Sequence, residues 1–370
     1  MKLLHTSKKL VALLLAIMLL IAVPVQALAP QEGAADASDL IIRALQDIEP
    51  LKEEMGYGDI DFTALSVGDP IHAYRFTEEG LSFSRLVYPL FENGELVVLG
   101  LEVTSNNTQH IQLTLALVDE IKATVNHDEP LALVYMEDGC YVYTESDIWQ
   151  IAQSEGFSDM AVRHQSLSNV EEIDCSNAVL TCISPKHNLG YTHSVIPLAD
   201  WYYYCGVSFV QQPYSESKRV YSNICWAATI ACIANYIKDT NYSAIAVARW
   251  WYPDYTYPEP EGSNYTLSTY NAMLILNNDL SLDYVLTYNL RDSIIADCLS
   301  YGYPIYSLWD GPVSNHVVTI YAINLNSHTV TVMCPMNRSI VAEWNGSTYS
   351  YVSPSSGNEF TLYNAAHLVL

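Results

Sequence analysis

The chain has 370 residues, with 41 Asp and Glu against 16 Lys and Arg, so its formal net charge at neutral pH is −25. This length exceeds what one hydrophobic core usually holds, and we expect two domains. The acidity argues against nucleic-acid binding, because nucleic acid carries charge of the same sign. Residues 30–195 carry 28 acidic and 7 basic side chains, whereas residues 196–370 carry 13 and 6, so the acidity is concentrated in the first half.

The first 29 residues have the pattern of a secretory signal peptide. A lysine-bearing start is followed by an uncharged apolar run from Leu10 to Val23, and small residues around Ala27 offer a cleavage position. An uncleaved N-terminal anchor is the alternative, but the apolar run is short for a membrane span and is followed by Pro24. We therefore expect an exported protein, secreted or held at the cell surface, with no stable membrane insertion after cleavage.

Residues 30–160 are predicted to form a small acidic α+β domain. The predicted elements, in chain order, are a helix over 38–56 kinked or split at Pro50, strands over 84–91 and 95–103, a helix near 115–125, strands over 131–136 and 140–144, and a short helix that starts at Ser146. The Asn93-Gly94 pair between the first two strands is a strong hairpin signal. No cluster of histidine, cysteine and carboxylate accompanies these elements, so we interpret this segment as a pro-domain or accessory domain.

Residues 161–195 show weak periodicity and are interpreted as a connector to a second domain over 196–370. The predicted elements of that domain, in chain order, are an entry strand over 208–212, a helix from Cys225, helices over 243–251 and 268–278, a strand over 282–288, a helix capped by Asn289, and strands over 303–309, 315–323 and 329–334. Helices come first and antiparallel strands last. This segregation is typical of an α+β domain.

Cys225 opens an apolar predicted helix in the sequence SNICWAATIACIANYIK. Ser222 and Asn223 are suitable N-cap residues, and the small apolar residues after them predict a helix that is buried on nearly every side. The exposed N–H groups and positive dipole of a helix start favour a thiolate, which is the nucleophilic form of cysteine. The alternative is that Cys225 is a buried structural cysteine, as Cys232 two turns later is expected to be.

Two polar residues are candidate partners of this cysteine. His316 begins a predicted strand just after the turn-forming residues 310–312, so its ring can project beside a groove at the strand end. A histidine that the fold brings next to a helix-start cysteine is the base that a Cys–His nucleophile requires. Gln212 could point its amide at a developing oxyanion, together with the Cys225 N–H. Each residue alone fits an ordinary structural role, and only the combination predicts an active site.

The eight cysteines of the chain are irregularly spaced, with no C-x-x-C pair and no histidine pair nearby. This spacing is not that of a zinc site, and we expect no metal and no cofactor. Cysteines of an exported protein often form disulfides, but the connectivity cannot be deduced from the spacing. If Cys225 is catalytic, seven cysteines remain and at least one of them is unpaired.

Four motifs in the second domain occur in a familiar order. They are Gln212-Pro213, Cys225-Trp226-Ala227-Ala228, Gly302-Tyr303-Pro304-Ile305 and Asn315-His316-Val317-Val318-Thr319-Ile320-Tyr321. With these motifs, residues 205–337 resemble the papain-like cysteine peptidases of bacteria, in particular the secreted staphopain-like and bacteriocin-processing branches. The resemblance implies a papain-like domain, with an N-terminal helical part and a C-terminal antiparallel sheet. It also implies that Cys225 is the nucleophile, His316 the general base and Gln212 the oxyanion donor, acting on a protein or peptide.

Two positions depart from the pattern of that family. Gln212 stands 13 residues ahead of Cys225, farther than is usual, so residues 215–223 are expected to form an inserted loop, and Gln211 stays an alternative donor. Where the family has an Asp or Asn that orients the histidine, this sequence has Cys334. We expect Asn337 to be the orienter, with Cys334 or no side chain as the alternatives. An orienter fixes the tautomer of the imidazole, so this departure affects the rate more than the type of reaction.

The sequence thus predicts a secreted cysteine peptidase made as a zymogen, whose acidic first domain inhibits it until the connector is cut. A stably attached accessory domain is the alternative for that segment. A related Cys–His transglutaminase-like enzyme or a cell-wall amidase is the alternative within catalysis. A degenerate papain-like domain that only binds peptides is the alternative outside catalysis.

Overall fold

The structure is a computed structural model that describes residues 37–368, except 78, 106–107, 126–128, 146, 154–177, 193–201, 216–219 and 261–264. The predicted signal peptide and much of the predicted connector lie outside the described residues, so both stay predictions. Within the described residues, no helix has both the length and the apolar character needed to cross a membrane.

The described residues form helices and strands with the following bounds. The helices are α1 (Ala37–Ile48), α2 (Val118–Thr124), α3 (Cys225–Lys238), α4 (Ala244–Trp251), α5 (Thr269–Asn278) and α6 (Asp292–Ser300). The strands are β1 (Leu65–Gly68), β2 (Ile71–Thr77), β3 (Gly80–Glu92), β4 (Glu95–Ser105), β5 (Thr108–Thr114), β6 (Pro130–Met136), β7 (Gly139–Thr144), β8 (Ile148–Gln153), β9 (Thr181–Cys182), β10 (Pro185–Asn188), β11 (Tyr202–Tyr204), β12 (Tyr214–Ser215), β13 (Val220–Tyr221), β14 (Tyr284–Thr287), β15 (Ile305–Asp310), β16 (His316–Asn324), β17 (Thr329–Cys334), β18 (Arg338–Trp344), β19 (Tyr349–Val352) and β20 (Glu359–Leu368). Short 3₁₀ turns occupy Glu49–Leu51 and Phe62–Ala64.

The first sheet contains β1 to β10. Its main path runs β10-β1-β3-β2-β6-β7-β8, while β4 pairs with β3 and β5, and β9 pairs with β6. The β3–β4 hairpin turns at Asn93 and Gly94, whose φ angles are 51° and 87°, and Glu92 lies opposite Glu95. A two-residue turn with both φ angles positive matches the twist of the flanking strands. The predicted hairpin is therefore confirmed.

The second sheet closes on itself. Its path runs β11-β16-β15-β20-β19-β18-β17, and β17 also pairs with β16, so six antiparallel strands form a ring. Strand β11 adds to β16 from outside the ring, and β14 adds to β20. Closure satisfies the hydrogen-bonding edges of the six strands without a covering element. It also fixes the starts and ends of β16 and β17 relative to each other.

Helix α3 packs against the second sheet at β16. All of its residues from Trp226 to Ala234 are buried, as the small apolar sequence predicted. The Thr229 hydroxyl donates to the Val317 carbonyl at 3.2 Å, so helix and strand are also joined by a hydrogen bond. The described strands pair antiparallel except for β2 with β6, and helices pack against them, so the chain is an α+β protein.

One apolar core contains residues of both sheets. Phe62, Leu65 and Val98 from the first part of the chain belong to the same buried cluster as Ile323 and Val330 from the second. From Ser38 onwards the chain forms a single compact unit. Apolar surface of the second sheet is therefore covered by residues of the first.

The structure corrects two predicted elements. Residues after Ser146 were expected to start a helix, but Ile148–Gln153 is strand β8, which pairs with β7 from Tyr143 opposite Ile148. Pairing with the neighbouring strand β7 outweighs a helix-start signal that only a few residues follow. The expected entry strand over 208–212 is irregular chain, and the strand in that region is β11, which pairs with the end of β16.

Helix starts and the last strands also differ from expectation. The N-cap position of α3 is Ile224 and that of α6 is Arg291, neither of which makes a side-chain cap bond, so the predicted caps Ser222, Asn223 and Asn289 are wrong. By contrast, Ser243 and Ser268 cap α4 and α5. Strands β18 to β20, after Cys334, were not predicted.

Candidate active site

Cys225 is the first residue of α3 and is half-buried. Its sulfur accepts the main-chain N–H of Val317, the residue that follows His316 on β16, and also the N–H groups of Trp226 and Cys225 itself. Trp226 anchors this end of the helix by donating its indole N–H to the Tyr265 carbonyl at 2.7 Å. Helix and strand therefore bring the cysteine to the start of the strand that carries the histidine.

The surroundings of Cys225 favour the neutral thiol. Burial raises the pKa of this thiol to about 11, although the three N–H groups act in the opposite direction. The Glu259 carboxylate raises the pKa further by its negative charge. This differs from the expectation that the helix start would yield a thiolate, because loss of hydration disfavours the charged form more than the N–H groups favour it. Nucleophilic attack would therefore need a base to remove the proton.

His316 is the first residue of β16, lies opposite Trp309 of β15, and is only 2% exposed. Its Nε2 lies 3.3 Å from the Cys334 sulfur, at the end of β17. Its ring packs against Phe360 in a T-shaped arrangement, with centroids 6.1 Å apart and planes at 64°. The ring is thus held on one side by a thiol and on another by an aromatic side chain.

Cys334 occupies the place expected for the orienter of His316. Its sulfur accepts the main-chain N–H of Asn337 at 3.3 Å, which holds the sulfur in place beside the imidazole. The Asn337 side chain donates its Nδ2 to the Ser355 hydroxyl at 3.2 Å. The structure therefore brings Cys334 to the imidazole, while Asn337 holds Cys334 through its main chain.

Gln212 lies next to Ser222, three residues before Cys225, although 13 positions separate it from Cys225 in the sequence. Strands β12 and β13 form a two-stranded hairpin that pairs Tyr214 with Tyr221, and the Ser222 N–H returns to the Pro213 carbonyl at 2.9 Å. The expected insertion is therefore a hairpin whose two ends meet. Gln212 is 4% exposed, and its Nε2 donates to the Ser222 carbonyl. The Oε1 of its amide has no hydrogen-bond partner.

Gln211, the alternative oxyanion donor, faces a different surface. It hydrogen-bonds Tyr221 and lines a cleft of about 710 Å³. One wall of this cleft comes from α2 and β8, and the other comes from the hairpin and the residues around Asn337. Gln212 is buried and bonded to Ser222, which is close to Cys225 in the sequence, whereas Gln211 faces this cleft. Gln212 is therefore the better candidate for the amide near Cys225.

Glu259 is a neighbour of the site that sequence reasoning missed. Its carboxylate accepts the Asn223 N–H and the Tyr255 hydroxyl, both at 3.0 Å. Glu259 lies in an aromatic, proline-rich loop and contacts the residues just before α3. In the sequence, an acidic residue in such a loop does not indicate a functional site. Among the residues that the structure describes, no group of three histidine, cysteine or acidic side chains is arranged to hold a metal ion.

Comparison with known proteins does not assign the chain to a family. No protein-family model matches it, and a search of curated proteins returns no relative. A function for the chain is therefore inferred from the geometry of its own residues.

Proposed function

We propose that the chain is a cysteine peptidase that hydrolyses peptide bonds through a thioester on Cys225, with His316 as the general base. The observation that carries the proposal is the contact between the Cys225 sulfur and the N–H of Val317, directly after His316. Two further observations support it: Cys334 lies against Nε2 of His316, and Gln212 lies beside Ser222. These are the parts that a Cys–His nucleophile and its oxyanion site require.

The proposed reaction has two stages. With Nε2 turned towards Cys334, Nδ1 of His316 takes the proton of the Cys225 thiol as the sulfur attacks the peptide carbonyl carbon. The proton then passes to the leaving amine, and a thioester to Cys225 is left. Water attacks the thioester with His316 as the base, releasing the acid product and restoring the thiol. Because the thiol pKa is about 11, proton removal and attack belong to one step in this proposal.

The oxyanion of each stage would be stabilised by donors at the start of α3. The Gln212 amide carries two N–H groups, and its bond to the Ser222 carbonyl uses one of them. The second N–H and the main-chain N–H of Cys225 are the proposed donors. Loss of one such donor reduces turnover by about 10²- to 10³-fold.

The test is hydrolysis of a fluorescent casein by the mature chain and by matched cysteine variants. We expect Cys225→Ala to reduce turnover by on the order of 10⁴-fold or more, and addition of His316→Ala to reduce it little further, because the two residues act as a unit. Cys232→Ala is the control, since Cys232 is a buried thiol two turns along the same helix. Casein turnover that survives in Cys225→Ala would refute the assignment.

A second candidate function, a non-catalytic peptide-binding domain, is favoured by one observation. The raised pKa of Cys225 leaves little thiolate at neutral pH. Calorimetric titration of the wild-type chain with a peptide that binds but is not cleaved, combined with no casein turnover, would support this candidate.

The zymogen part of the prediction stays a proposal. The apolar core that both sheets share favours the stably attached alternative for residues 30–160 over a segment that leaves after cleavage. Comparison of casein turnover before and after limited proteolysis decides between them. Activity in the intact chain contradicts the inhibitory interpretation.

A further inference from the structure

A buried polar turn connects β19 to β20, and we call residues 353–358 the 353–358 loop. All six residues are buried. The loop is closed by main-chain bonds from Ser353 to the Asn358 carbonyl and from Gly357 to the Ser353 carbonyl, both at 2.8 Å. Burial of so many polar groups is costly unless each is bonded, so the partners of this loop indicate its role.

The partners include two arginines of the first sheet. Arg75 of β2 donates to the Asn358 side-chain oxygen at 2.8 Å and to the Gly357 carbonyl at 2.7 Å. Arg85 of β3 donates to the same Gly357 carbonyl at 3.0 Å. Burial, together with the charge of Arg85, lowers the pKa of Arg75, so the two cations are held together against their repulsion. Charge-assisted bonds to fixed oxygens are strong enough to offset this cost.

Ser355 of the same loop is connected to the candidate active site by hydrogen bonds. Ser355 accepts the Asn337 side-chain N–H at 3.2 Å, and the Asn337 main-chain N–H donates to the Cys334 sulfur at 3.3 Å. The Cys334 sulfur lies 3.3 Å from Nε2 of His316. A continuous series of contacts therefore runs from the first sheet to the imidazole.

We propose that Arg75 and Arg85 are positioning residues for His316, acting through the 353–358 loop, Asn337 and Cys334. The first part of the chain is then a component of the active site. The role of His316 in this inference rests on the proposed function. The inference makes the opposite prediction from an inhibitory pro-domain: weakening the arginine contacts lowers the reactivity of Cys225, whereas release of an inhibitor raises it.

The readout is the alkylation rate of Cys225 by iodoacetamide in the full mature chain, measured by peptide mass spectrometry in a Cys182→Ser background. Cys182 is exposed and would otherwise consume reagent. The rate depends on His316 as the base, and His316→Ala gives the lower limit. Circular dichroism verifies that each variant is folded at the temperature of the assay.

We expect Arg75→Ala to lower the rate by about 3- to 10-fold, the size of effect seen when a residue acts on a site through a series of contacts. Arg75→Lys retains a donor and a charge and is expected to restore most of the rate. Arg291→Ala, at an exposed arginine before α6, is the matched control and is expected to leave the rate unchanged.

Ser355→Ala tests the same series from the other side and leaves the arginine contacts in place. We expect a similar loss, and a combined loss in Arg75→Ala/Ser355→Ala that is smaller than the product of the two, as for residues in one network. An unchanged or increased rate in both single variants would overturn the inference. If the wild-type chain hydrolyses no peptide but its Cys225 alkylation still depends on Arg75, the peptidase proposal fails and this inference stands.

Discussion

Gly357 is a position where the structure leaves no room for a side chain. Its φ is +63°, and a Cβ atom placed on it would lie 2.7 Å from two ring atoms of Tyr135. Tyr135 is a fully buried residue of β6, so its ring cannot move aside into solvent. The contact joins the 353–358 loop to the first sheet. We therefore expect Gly357→Ala to destabilise the protein more than the backbone conformation alone would.

The magnitude has two parts. Alanine in the left-handed region costs about 1–2 kcal/mol, and an extra carbon forced into a packed site costs about 1–3 kcal/mol. The expected loss in the free energy of unfolding for Gly357→Ala is therefore about 2–5 kcal/mol. Gly190→Ala is a matched control, because Gly190 has φ +66° and no atom within 4 Å of an added Cβ. For this control we expect only about 1–2 kcal/mol.

The assay is equilibrium unfolding in urea, followed by tryptophan fluorescence. The comparison of the two variants isolates the contact with Tyr135, since the backbone cost is common to both. Equal losses in Gly357→Ala and Gly190→Ala would refute the packing of the loop against the first sheet.

Three further predictions concern the site and the first part of the chain. Glu259→Gln lowers the pKa of the Cys225 thiol, so more thiolate is present at pH 8 and alkylation is about 2- to 5-fold faster; an unchanged rate would contradict the electrostatic contact. Cys334→Asn keeps an acceptor at His316 and retains casein turnover, whereas Cys334→Ala lowers it about tenfold or more; equal effects would remove Cys334 as the orienter. Residues 196–370 expressed alone lack the shared core and stay insoluble, which a sedimentation assay of the lysate verifies, and a soluble folded fragment would contradict it.

Local signals in the sequence predicted the elements that carry the site. The small apolar residues after Cys225 predict α3, and the continuous run of β-branched and apolar residues after His316 predicts the buried strand β16. The Asn93-Gly94 turn is equally local. A hairpin between Gln212 and Cys225 was expected only as a loop, since the pairing of Tyr214 with Tyr221 has no strong turn signal in its favour.

The remaining features depend on contacts between residues far apart in sequence. Cys334 approaches His316 because β17 pairs with β16, with Met333 opposite Thr319. The sequence offered Cys334 as an alternative orienter only through the resemblance, since no local pattern places its sulfur at the imidazole. Arg75 and Gly357 are 282 residues apart in sequence, and their bond exists only in the folded chain. The raised pKa of Cys225 likewise reflects burial that a helix-start pattern does not reveal. Prediction of such features requires the arrangement of both sheets.

The β12–β13 hairpin keeps Gln212 close to Ser222 in space although ten positions separate them along the chain. Because Tyr214 lies opposite Tyr221 and the Ser222 N–H closes on the Pro213 carbonyl, residues added in pairs beyond Ser215 would lengthen the ladder without moving Gln212. Evolution can therefore vary the interval between the amide and the thiol freely, as long as the ladder is kept. A search for distant relatives should therefore permit a paired insertion at this hairpin and not fix the interval between Gln212 and Cys225.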